Sequence, residues 1–96
     1  MRVVLSAHSQ RDLTDLVLYI AEDNPHRARS YAAEIRNVCR SLSLSPKRFP
    51  AAPQLGPTVR YTRHGAYLIF YSIENDHVRI RRVIHSARLI DASMFR

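Results

Sequence analysis

Two side-chain types give this chain its chemical options. It has five histidines and fifteen basic residues, of which fourteen are Arg and one is Lys47. Histidine is the side chain that titrates near neutrality, so His64 and His85 are the candidates for moving a proton. Arg60, Arg63, Arg81, Arg82 and Arg88 are the candidates for holding a phosphate. Cleaving a phosphodiester needs a base for the attacking hydroxyl, an acid for the leaving oxygen and cations for the charge between them. His85 with Arg60, Arg81 and Arg82 is the set from which such a site would be built.

Other chemistries lack their parts. No two histidines stand four apart on a helix, and no carboxylate–histidine cluster occurs, so no metal site is expected. The single cysteine, Cys39, rules out an internal disulfide framework and a Cys-based zinc site. It falls on an apolar helical stripe and reads as a buried, inert thiol. Two glycines, Gly56 and Gly65, cannot form a glycine-rich phosphate cradle. No cofactor is expected.

Charge adds a second clue. The 96 residues carry a formal net charge of +7. Residues 1–46 hold six Arg against five acids, whereas residues 47–96 hold nine bases against three. A GC-rich coding sequence would favour Arg over Lys but would not create that asymmetry. The basic half points to an acidic partner, either nucleic acid or an acidic protein segment. No apolar run reaches the roughly 18 residues of a membrane span, and Met1–Ser6 is too short for a signal peptide. A cytoplasmic protein without a membrane partner is the expectation.

The elements that must position these residues follow from spacing. Residues 2–6 are β-branched and aliphatic and read as a strand. Ser6 then caps a helix in which Leu13, Leu16, Val17 and Ile20 repeat at i, i+3, i+4, i+7. Asn24-Pro25 ends that helix and starts another, predicted to run from 25 to about 44. So short a connection makes a helical hairpin. Residues 45–57 contain four of the five prolines and read as a loop that Phe49 and Leu55 hold against the body. Strands are predicted at 58–62, 66–73 and 77–85. In the last, Val78, Ile80 and Ile84 share one parity, and Arg79, Arg81, Val83 and His85 the other. Arg82 interrupts the apolar face, so a bulge or a local exposure is expected near it. Residues 88–95 form a short helix or an ordered tail.

The order β-α-α-β-β-β over residues 1–96 is one α+β domain, a helical hairpin on one face of a small, mainly antiparallel sheet. The other face is expected to carry arginines and stay open. Leu18 and Tyr19 lie off the apolar stripe of the first helix. Either the 45–57 loop covers them or they border a groove for an amphipathic partner.

Several segments resemble the ParE-like toxins of the RelE/ParE superfamily. They are Arg11–Glu22 followed by Asn24-Pro25 and Ala28, then Leu42–Pro46, Tyr67–Tyr71, and Val78–Arg88 with its Arg-Val-Ile-His-Ser-Ala-Arg ending. The likeness covers nearly the whole chain in the expected order. It departs at Leu89, where ParE-like proteins often carry Asp. The resemblance implies the toxin of a type II toxin–antitoxin pair, held inactive by a ParD-like antitoxin. ParE-like members are associated with poisoning DNA gyrase, and RelE-like members with cleaving mRNA on the ribosome. The nucleases of the superfamily use a lysine-rich or Glu-Arg-His-Tyr set, which this chain lacks, since no tyrosine follows Tyr71. The leading expectation is therefore a gyrase inhibitor acting by protein–protein contact, with direct nucleic-acid binding secondary. An mRNA endonuclease and a degenerate antitoxin-binding module are the alternatives. Leu18, Tyr19, Arg79 and Arg81 are the expected antitoxin contacts, and Arg82, His85 and Arg88 the expected toxicity surface.

Overall fold

Ser6 and Asn24 set the two helices. In the computed structural model, which describes residues Met1–Arg96, the Ser6 hydroxyl oxygen accepts from the Ser9 amide at 3.1 Å and so satisfies an orphan donor of the first turn. Helix α1 then runs Ala7–Ala21. Asn24 Oδ1 accepts from the Arg27 amide at 3.0 Å, and Pro25 takes the first position of α2, Pro25–Ser41. The second helix stops three residues short of its expected end, with Leu42 turned inward into the core.

Four strands complete the chain: β1 (Arg2–Leu5), β2 (Val59–His64), β3 (Tyr67–Ile73) and β4 (His77–His85). Their order in the sheet is β1-β4-β3-β2. Only β1–β4 is parallel. The α+β hairpin-on-sheet architecture thus stands as the sequence implied.

Of the two expectations at Arg82, the structure shows the bulge, one residue before it. Phe70 pairs with Arg82 but Tyr71 pairs with Ile80, so Arg81 has no partner on β3. One inserted residue flips the side-chain alternation beyond it. Val83, which simple parity placed with the arginines, therefore joins Val78 and Ile80 in the core. Ile84 passes to the opposite face.

Leu13, Leu16, Tyr31, Ile35, Cys39 and Leu42 close the main core against Ile69, Tyr71, Val78, Ile80 and Val83. Cys39 sits wholly inside it, and burial pushes its thiol up to about 11, which removes it from nucleophilic chemistry. The far face of the sheet corrects the expectation of an open arginine surface. It carries a second apolar cluster of Ala52, Val59, Phe70, Ile84 and Phe95. The proline-rich loop supplies Ala52 and Leu55, and a 3₁₀ turn at Ala92–Phe95 supplies Phe95, whose ring meets Phe70 edge-on at 5.0 Å.

Candidate functional site

Strand β1 ends at Leu5, opposite Ile80, so β4 continues without a strand neighbour on that side. Helix α1 covers this bare edge. Ser6 Oγ donates to the Arg81 carbonyl at 3.0 Å, and Asp12 Oδ2 accepts from the Val83 amide at 2.9 Å. The same carboxylate takes a bidentate grip from Arg82, at 2.7 Å from Nε and 2.9 Å from Nη2. That hydrogen bond holds the guanidinium above its ordinary pKa.

Just beyond Asp12, α1 and β4 diverge into a groove. Asp12, Asp15, Leu16 and Tyr19 line one wall, Val83, Ile84, His85 and Arg88 the other, and Tyr67 reaches in from β3. Its volume is about 170 Å³, and it shares Tyr19, Tyr67 and His85 with a hollow of about 320 Å³ that Ala87 also lines. Leu18 and Tyr19 are 63% and 66% exposed, so the proline-rich loop does not cover them. On the other flank of α1, Leu13, Thr14, Val17 and Leu18 border a shallow seam toward Arg36 of α2.

An aromatic row ends at the site. His64, Tyr31, Tyr67 and His85 form a row, with ring centroids 5.3, 5.8 and 5.1 Å apart. Burial raises the pKa of both Tyr31 and Tyr67, so both remain phenols at neutral pH. The Ala87 amide donates to His85 Nδ1 at 3.0 Å, which leaves the ring proton of neutral His85 on Nε2. Its chemistry toward a partner is then that of a hydrogen-bond donor.

Tyr19, His85 and Arg88, expected on two separate surfaces, share one groove. The residues expected to cut a phosphodiester do not assemble. Arg82 is committed to Asp12. Arg81 donates to the Phe95 carbonyl at 2.5 Å, and Arg60 to the Phe49 and Lys47 carbonyls at 2.7 and 3.2 Å. Arg60 pairs with Tyr71, whereas His85 pairs with Tyr67. They are thus separated by roughly 13 Å along the strands and two strand spacings across. His64 is turned to α2, where Nε2 lies 2.8 Å from Glu34 Oε1. Arg63 donates to Gly65, and Arg79 is exposed toward the other end of β4.

Asp12 and Tyr67 are members of the groove that the sequence did not single out. Asp12 had a signal, because it shares the inward phase of Ser9, Leu13 and Leu16, and a carboxylate in that phase requires a buried partner. Tyr67 had none, since its role depends on which elements neighbour it.

Residues 3–90 match the family model described as the ParE toxin of the type II toxin–antitoxin system parDE. Twelve chains of solved structures match the fold. One belongs to the chromosomal ParDE toxin–antitoxin system of P. aeruginosa, with 16% identity, a TM-score of 0.75, and coverage of 88% of this chain and 95% of that one. Another is from the RelBE2 toxin–antitoxin complex of Mycobacterium tuberculosis, with 26% identity, a TM-score of 0.65, and coverage of 91% and 92%. No curated protein matches by sequence.

Proposed function

This chain belongs to the ParE toxin family of type II toxin–antitoxin systems, and from that premise we propose that it acts by gripping DNA gyrase rather than by cutting RNA. The observation that carries this reading is the dispersal of the nuclease set. Arg82 is neutralised by Asp12, Arg81 and Arg60 are held by backbone carbonyls, and Arg79, the free cation of β4, stands at the opposite end of the strand from His85. A phosphoryl transition state needs preorganised cations at the reacting atoms. A protein surface needs an exposed aromatic anchor with polar donors beside it, which Tyr19, His85 and Arg88 provide.

Neutralisation follows from the same geometry. A ParD-like antitoxin docking on Leu18 and Tyr19 would cover the groove that holds His85 and Arg88, so binding and silencing become one event. Arg79 and Arg81 lie outside this groove, and Arg81 contributes to the toxin's own tail packing instead.

The test is a supercoiling assay with purified toxin. Wild type inhibits gyrase, His85→Ala and Arg88→Ala raise the inhibitory concentration at least tenfold, and added antitoxin restores activity. Supercoiling unaffected at saturating toxin would overturn the proposal. The mRNA-endonuclease reading has one observation in its favour, the His85 ring beside Tyr19, Tyr67 and Arg88. It requires ribosome-dependent cleavage by wild type that His85→Ala abolishes.

A further inference from the structure

We propose that the face of α2 bearing Arg29, Arg36 and Arg40 is a landing surface for the phosphate backbone of duplex DNA, independent of the groove that serves gyrase and antitoxin. At 3.6 residues per turn these three positions fall within an arc of roughly 40°. All three are exposed, and none is in an ion pair. Arg40 only touches the side chain of its neighbour Asn37. The one acid of the helix, Glu34, is drawn away to Arg27 and His64, at 2.5 and 2.8 Å, and offers the line no counter-charge. Along the chain this helix sits in the half whose charges nearly cancel. In space the other four acids of that half gather on α1 and the interhelical turn, and α2 is left with an uncompensated basic stripe.

The chemistry of the stripe selects the occupant. On α2 itself the line from Arg29 to Arg40 offers only Ala33 as apolar surface, and the seam of Leu13, Val17 and Leu18 on α1 meets it at Arg36 alone. Protein interfaces are anchored by apolar and aromatic contacts with charge at the rim. A phosphate backbone needs no such anchor, because cations alone bind it through counterion release. From Arg29 to Arg40 the helix rises roughly 16 Å. Duplex DNA carries one charge per about 1.7 Å of axis, so each guanidinium finds a phosphate whatever the base sequence. Arg36 and Arg40 repel each other at i, i+4 in the free protein, and an anion lying across them relieves that repulsion.

Fluorescence anisotropy with a labelled duplex of arbitrary sequence tests the proposal. Three phosphate contacts give a log–log salt slope of about −2.7, or roughly 40-fold weaker binding between 50 and 200 mM salt. The variant Arg29→Gln/Arg36→Gln/Arg40→Gln is expected to lose that component while keeping its helical circular dichroism. Arg11→Gln/Arg48→Gln/Arg96→Gln removes the same charge elsewhere and is expected to stay within about twofold of wild type. Equal weakening in both variants would overturn the proposal in favour of diffuse net charge. Binding of polyglutamate as tight as that of DNA would overturn it in favour of an acidic peptide. Tighter binding of duplex RNA than of DNA, or no salt-sensitive binding at all, overturns it as well.

Discussion

Asp12 joins the helices to the sheet through three hydrogen bonds from two residues, and it is only 9% exposed. Removing one partner of a buried pair strands the other charge, which typically costs about 3–5 kcal/mol. Asp12→Ala is expected to destabilise the chain by about that much in urea unfolding, because it also orphans the Val83 amide. Arg82→Ala is expected to cost less, since the carboxylate keeps that amide. The double variant should fall well short of the sum of the two, and a purely additive cycle would show that the pair is not coupled. The consequence for function is that loss of toxicity in an Arg82 variant, without an unfolding measurement, says nothing about contact with a target. Ser72 makes the opposite prediction. Its hydroxyl is buried in β3 without a hydrogen-bond partner. Ser72→Ala removes an unsatisfied polar group from the interior and is expected to raise stability by about 1 kcal/mol.

At the scale of elements, the β2–β3 hairpin turns on Gly65, whose φ of 58° lies in the left-handed region. Tyr31 of α2 closes over it and donates its hydroxyl to the His64 carbonyl. A Cβ on residue 65 would stand 2.8 Å from that hydroxyl oxygen. Gly65→Ala therefore meets both backbone strain and a clash, and is expected to lower stability by about 1–3 kcal/mol. If Tyr31→Phe relieves much of that loss in the double variant, the clash dominates. If not, the backbone does. Such dependence on a facing element marks where the sequence stopped being legible. The helices were readable because caps and i, i+3, i+4 spacing act within a few residues of each other, as at Ser6 and Asn24. The α+β order followed from them. Arg82 signalled either a bulge or a local exposure, but the choice of a bulge and its position at Arg81 are set by pairing with β3, and so is the fate of Val83. The second core was hidden because Phe95 reaches Phe70 from 25 residues away and completes a face that looked open. Arg60 and Arg81 looked like phosphate ligands because their partners are main-chain carbonyls, which every residue possesses and no motif records.

For the whole molecule, charge decides how it meets acid. Glu34 is held at about 2, below its ordinary 4.5, first by its hydrogen bond to Arg27 and then by that to His64. Asp76 and Asp91 are also lowered, chiefly by hydrogen bonds to His77 and Ser93. A carboxyl with a lower pKa folded than unfolded binds protons preferentially in the unfolded chain. Its stabilisation is complete above about pH 4.5 and is lost as pH falls toward 2. Titrating the eight acids also leaves fifteen permanent cations unopposed, so self-repulsion pushes the same way. The urea midpoint is therefore expected to fall steeply between pH 4.5 and 2. Glu34→Gln separates the two causes. It removes the linked proton but keeps the overall excess of cations, so the variant should start below wild type at neutral pH and converge with it near pH 2. Added salt screens repulsion in both proteins and should lift both acid limbs. A variant limb as steep as that of wild type would mean that the Arg27–Glu34–His64 cluster does not carry the acid sensitivity and that the uncompensated arginines do.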